Sequence, residues 1–177
     1  MATRSTISIL ETTGTVKQIY CHWDGYFDHN GRILKTFYKT PELVKQLISL
    51  GNLSVLAENI NPTEDHSFDS PQEGVCVYYG RDRGEDNAEY TLFPNFEMFK
   101  LDHQSEDYDY VYVEAEETWY YIVEGELKTF LPELDEPVKT KLDLIAENPG
   151  IKQMYTAVLN GDMSYNEFCK VIETLMK

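Results

Sequence analysis

Between Ser5 and Leu10 the chain alternates, with Ser5, Ile7 and Ile9 on one side and Thr6, Ser8 and Leu10 on the other. That two-residue period predicts a strand. Thr12-Thr13-Gly14-Thr15 reads as a turn, with Gly14 free to take positive φ. Val16 to His22 follows as a second strand, and the two form an opening β-hairpin. After a loop from Trp23 to Asn30, the spacing of Ile33, Leu34, Phe37 and Tyr38 predicts a helix, with Asp28 or Asn30 as candidate caps. Thr40-Pro41-Glu42 signals a second helix start. Leu43, Val44, Leu47, Ile48 and Leu50 make its apolar stripe, and Gly51 ends it.

The middle of the chain is less regular. Leu53 to Leu56 reads as a short extended piece, 59–74 as irregular, Val75 to Tyr79 as a short strand, Gly80 to Ala88 as a charged loop, and Tyr90 to Phe93 as a further strand. Tyr108 to Glu114 and Thr118 to Val123 form a second clear hairpin, with Tyr108, Tyr110 and Tyr112 on one face, and Gly125 closes the sheet. Beyond Pro137 the apolar spacing becomes helical throughout. The fold expected is α+β: a mainly antiparallel sheet with two helices inserted after the first hairpin, in a domain over 1–136. A helical C-terminal appendage over 137–177 completes it.

Composition narrows the class. At 177 residues with 13 Tyr the chain can build a real core. No apolar run approaches a bilayer span, and Met1 to Thr6 leads into no apolar signal core, so a cytoplasmic location is expected. Cys21, Cys76 and Cys169 are sparse and widely spaced, which fits a reducing compartment and argues against both a disulfide framework and a zinc site.

The net charge of −16 is uneven. Residues 1–57 carry six Lys/Arg and four Asp/Glu, residues 58–136 carry four and twenty-two, and residues 137–177 carry five and five. The acidity belongs to the middle third. Such a surface repels nucleic acid unless it imitates it, so no direct nucleic-acid binding is expected.

Four stretches carry candidate chemistry. The densest is Ile19-Tyr20-Cys21-His22-Trp23-Asp24-Gly25-Tyr26, continuing through Asp28, His29 and Asn30. His22, Asp24 and His29 could serve as metal ligands or as a base and its orienter if the loop folds back, but no helical His pair or paired Asp supports that, and no metal or cofactor is expected. The plainer reading is an Asp-Gly turn with Trp23 and Tyr26 plugging the hairpin. His66-Ser67-Phe68-Asp69-Ser70-Pro71 sets Ser beside His without the elbow of a serine hydrolase, and reads as a turn. Arg81 and Arg83 could grip a phosphate with Trp23 and Tyr26 as stacking faces, or could pair with the neighbouring acids. Asp102 to Glu117 holds seven acids and three alternating Tyr. From it Asp107, Asp109, Tyr110 and Tyr112 are candidate partner contacts, set against the reading of a charge-protected edge strand.

Several blocks together resemble a family of small uncharacterised bacteriophage proteins. They are Met1 to Ile7, Ile19 to Tyr26, Gly31-Arg32-Ile33-Leu34, His66 to Val75 and Arg81-Asp82-Arg83-Gly84-Glu85, in order over roughly residues 1–125. Members of that family usually carry Pro where this chain has Phe27. The resemblance implies a phage accessory product in the host cytoplasm and brings no activity and no assigned residues. Three function classes follow. One is a binder of a host or defence protein, or of a nucleotide-type signal, with Trp23, Asp24, Tyr26, His29, Arg81 and Arg83 as candidate contacts. Another is a small hydrolase or transferase using His22, Asp24 and His29. The last is an acidic nucleic-acid mimic.

Overall fold

A computed structural model describes residues 2–130 together with 153 and 154. The chain divides into two compact units, Met1–Lys128 and Thr129–Lys177. Within the second unit Gln153 and Met154 are helical. The rest of the helical appendage expected over 137–177 lies outside the described residues. No helix among the described residues is long and apolar enough to cross a membrane.

The first unit is α+β. Its eight strands are β1 (Ser5–Leu10), β2 (Val16–Cys21), β3 (Leu53–Val55), β4 (Val77–Tyr78), β5 (Thr91–Phe93), β6 (Tyr108–Val113), β7 (Thr118–Val123) and β8 (Glu126–Lys128). Its four helices are α1 (Arg32–Phe37), α2 (Pro41–Ser49), α3 (Tyr79–Arg83) and α4 (Phe96–Asp102). The strands form one sheet in the order β4-β3-β2-β1-β6-β7-β8, with β5 paired to the first half of β2.

The sheet is mixed. Both expected hairpins are present, β1 with β2 and β6 with β7. Two pairings are parallel, β1 with β6 and β2 with β3. Parallel neighbours need a long crossover, so nothing local in the sequence announces them.

The register places the side chains. Ser5, Ile7 and Ile9 share a face with Cys21, Ile19 and Lys17 across β2, and with Tyr108, Tyr110 and Tyr112 across β6. On this face the Tyr112 hydroxyl donates to Lys39 O (2.9 Å), Trp119 Nε1 donates to Tyr38 O (2.7 Å) and the Tyr78 hydroxyl donates to Leu47 O (3.1 Å). The opposite face carries Val16, Phe93, Phe99, Val111 and Ile122 as a core cluster, with Leu10, Phe96 and Leu127 packed against it. Strand β1 is therefore covered on both sides.

Thr40 Oγ1 accepts from Leu43 N (3.5 Å) and Pro41 opens α2, as its signals predict. Gly51 follows it at φ +86. Val44, Leu47 and Ile48 are buried, whereas Leu43 sits at the edge of the stripe and stays exposed. Two expectations need correction, and one helix was not foreseen. Neither Asp28 nor Asn30 caps α1, because a π-helical turn over Phe27–Gly31 runs straight into it. The expected loop at 80–88 begins as α3, where Asp82 Oδ2 reaches back to accept Tyr78 N (2.7 Å) and Gly84 ends the helix at φ +73. The unforeseen α4 starts at Asn95, whose Oδ1 accepts from Met98 N (2.9 Å).

Ser8 shows a local misfit. Its hydroxyl is buried on β1 with no hydrogen-bond partner among the described residues. An unsatisfied buried hydroxyl costs about 1–3 kcal/mol. Ser8→Ala is therefore expected to leave stability unchanged or raise it by about 1 kcal/mol in urea denaturation; a clear loss would mean the hydroxyl has a partner.

Candidate functional site

The opening loop is fixed to the sheet from several sides. Past the end of β2, His22 N donates to Leu53 O (3.0 Å) and Trp23 N to Ser54 O (3.1 Å), so the strand edge continues along β3. Asp24 takes positive φ (+56) and turns the chain. Gly25 N then donates to Thr3 O (2.8 Å), while its own carbonyl accepts from the Tyr110 hydroxyl (2.7 Å). A Cβ at position 25 would lie 2.5 Å from Arg4 O, so only glycine permits this approach. Asn30, wholly buried, directs its amide toward Ser5 Oγ (3.1 Å), Cys21 Sγ (3.4 Å) and Trp23 O (3.1 Å).

Both histidines are held individually. The Tyr20 hydroxyl lies 2.7 Å from His22 Nδ1. Burial raises the Tyr20 pKa, with Arg4 opposing, so the phenol stays protonated. His29 Nδ1 lies 3.0 Å from Asn30 Oδ1, an acceptor, so Nδ1 carries the proton. His22 and His29 thus serve separate hydrogen bonds, and among the described residues no group of three His, Cys, Asp or Glu could hold a metal ion. The neighbouring Cys21 thiol is pushed up to about 12 by burial, which leaves it protonated and poorly nucleophilic.

On this scaffold two large aromatics face outward, Trp23 (45% exposed) and Tyr26 (38%). The His22 ring stands edge-on to the indole of Trp23 (centroids 4.8 Å), and the His29 ring lies 6.0 Å from that of Tyr26. Each exposed aromatic thus has a hydrogen-bonded histidine behind it. Trp23 and Tyr26 do not plug the hairpin, as the plainer sequence reading had it.

Phe27 makes edge contacts with Tyr108 (4.9 Å) and Tyr121 (5.0 Å), joining the opening loop to the acidic strand. The β6–β7 register ends at Tyr110 opposite Tyr121, while β7 remains paired with β8 as far as Val123. Tyr108 and Asp109 therefore lie across a gap from Ile122 and Val123. A cleft of about 330 Å³ occupies it, walled by Phe27, Tyr108 and Tyr121 and edged by Glu106, Asp107 and Asp109.

The chain matches no family model, no curated protein and no solved structure.

The remaining sequence candidates separate. Arg81 is committed inward: its guanidinium donates to Ile60 O (2.6 Å), Cys76 O (2.7 Å) and Asp82 Oδ1 (2.5 Å), and stacks 4.8 Å over Tyr78. Arg83 pairs with Glu85 (2.9 Å) and covers Phe68. Arg81 thus fastens the 59–74 segment to α3. Tyr110 and Tyr112 are fully buried and Asp109 is 6% exposed, so as a partner surface these three are corrected. Their strand lies inside the sheet rather than at its edge. Asp109 accepts from Thr6 Oγ1 (2.7 Å), Ser105 Oγ (2.7 Å) and Glu106 N (3.0 Å). Asp107 stays at the surface, where Arg4 N donates to it (2.9 Å).

Sequence reasoning named Phe27, Asn30 and Tyr121 without giving them these roles, and assigned nothing to Glu106. Tyr121 was legible as a cross-strand neighbour of Tyr110. Phe27 and Asn30 acquire their roles from how the loop folds back, which no periodicity carries.

Proposed function

We propose that this protein acts by binding, and that it meets a protein partner through the Trp23–Tyr26 face of the opening loop. With the resemblance to small phage proteins, the reading is an accessory product that occupies a host or defence component in the host cytoplasm. One observation carries it: two large aromatic side chains stand exposed on a backbone that is already locked. Exposed Trp and Tyr are the residue types that anchor interfaces, and a rigid loop has little ordering cost left to meet on binding. His22 and His29, each hydrogen-bonded beside those rings, add polar groups at the rim. A protein partner is favoured over a nucleotide-type signal because the arginines such a ligand needs are engaged elsewhere, Arg81 with backbone carbonyls and Asp82, Arg83 with Glu85.

The test is quantitative. A partner captured by the tagged full-length protein from bacterial lysate is identified, purified and titrated against wild type, Trp23→Ala and Tyr26→Ala. Trp23→Ala is expected to weaken binding about thirtyfold, roughly the 2 kcal/mol of an interface anchor, with an unchanged thermal midpoint. Equal affinity for wild type and both variants would remove the loop from the interface.

A further inference from the structure

The cleft between β6 and β7 combines two features that select the same ligand. Its walls are three aromatic rings, with Phe27 set nearly perpendicular to Tyr108 (78°) and to Tyr121 (73°). An aromatic wall attracts a cation placed against a ring face. Its edge carries three carboxylates, Glu106, Asp107 and Asp109, and no Lys or Arg is among its lining residues. The Asp109 charge sits almost buried, met by the hydroxyls of Thr6 and Ser105 and by Glu106 N–H, with His103 Nε2 3.8 Å away. His103 Nδ1 donates to Phe99 O (2.9 Å). Hydroxyl and amide dipoles solvate this carboxylate. A cleft of one sign with low-dielectric walls concentrates its field. Its size suits a single side chain, and its residues do not form a metal-holding group.

We propose that this cleft receives a cationic side chain, lysine or arginine, projecting from the partner surface. This rests on the reading that the protein works by binding a protein partner. It assigns the acidic strand a different role from the exposed stripe of a nucleic-acid mimic, because the charge lines a slot.

The experiment is an amide-resolved NMR titration of the full-length protein with N-acetyl-arginine methylamide, with the neutral N-acetyl-citrulline methylamide as control. The arginine probe is expected to give saturable shifts confined to Phe27, Ser105–Asp109 and Tyr121–Val123, weakening as salt rises, and the citrulline probe none. Tyr121→Leu is expected to weaken the arginine probe about fivefold, the loss of one cation–π wall. Asp107→Asn, which keeps an oxygen for Arg4 N, is expected to weaken it through charge alone. Equal shifts from both probes, shifts elsewhere, or none at all in the folded wild type would overturn the proposal. The outcome is separable from that of the loop: if Trp23→Ala loses the partner while the arginine probe fails, binding through the loop stands and the cleft assignment falls.

Discussion

Asp82→Ala is expected to destabilise the first unit by about 3 kcal/mol, the upper end for losing hydrogen bonds to a charged group. The carboxylate is the centre of a clasp. Arg81 grips both of its oxygens (2.5 and 2.8 Å), Tyr78 N donates to it (2.7 Å), and His66 Nε2 lies 3.2 Å away with its side chain almost fully covered. His66 Nδ1 in turn accepts from Gln72 N (3.0 Å), and Arg81 reaches on to Ile60 O and Cys76 O. Without the carboxylate, the guanidinium keeps its two carbonyls but loses its counter-charge, and His66 loses the acceptor for its Nε2 proton. The 59–74 segment, which has little regular structure of its own, is expected to lose amide protection first. Urea denaturation and hydrogen exchange read the two effects; a loss under 1 kcal/mol would mean the clasp is not what holds the segment.

The same residue sets an acid sensitivity. Burial by itself raises the Asp82 pKa; hydrogen bonds from Arg81, Tyr78 N–H and His66 outweigh it and hold the carboxyl below its usual range. A depressed folded-state pKa contributes stability that is fully present above the unfolded value, near pH 4, and is lost as pH falls through the folded one. Glu11, beside Lys17, and Glu114, bonded to Lys45 and Thr12 N, shift in the same direction. Stability should therefore fall below about pH 4 in wild type, and less steeply in Asp82→Ala.

These clasps show where the sequence was readable and where it was not. Hairpins announce themselves because alternation and turn chemistry are local, so β1–β2 and β6–β7 were legible residue by residue. The same holds for α2, whose Thr40 cap, Pro41 and Gly51 each do what their chemistry predicts. The β1–β6 pairing is different. It sets Ile7 beside Tyr110 across 103 positions, and nothing local in the sequence signals it. Missing it hid the burial of Tyr110 and Tyr112, whose alternation with acids mimics an amphipathic edge strand. Asp109 defeats the pattern further, being a carboxylate solvated inside the fold by Thr6 and Ser105. The opening loop was legible as dense in chemistry, yet its geometry depends on a π-helical turn and on Asn30 pointing inward.

Gly25→Ala is expected to cost about 3 kcal/mol, the upper end for forcing a methyl into packed structure, and also to abolish partner binding. The added Cβ would meet backbone on one side, 2.5 Å from Arg4 O and 2.6 Å from Arg4 C, with Ser5 Cβ at 3.0 Å. No flexible side-chain tip can swing away from such a contact, so one of two chain segments must shift. If residues 3–5 yield, Gly25 N loses Thr3 O, and Arg4 N is drawn from Asp107 at the mouth of the cleft. If the loop yields, Tyr110 loses its acceptor at Gly25 O and the segment displaying Trp23 and Tyr26 moves off the sheet. Either movement disturbs the display surface without changing any residue on it. The informative comparison is Gly25→Ala against Asp82→Ala, matched for destabilisation and assayed well below both melting midpoints. Asp82→Ala should retain the partner, since its clasp lies in the 59–74 segment, whereas Gly25→Ala should lose it about as fully as Trp23→Ala. Full retention by folded Gly25→Ala would mean that the partner reads the aromatic side chains without needing the loop held in place, and preorganisation would drop out of the explanation for their exposure.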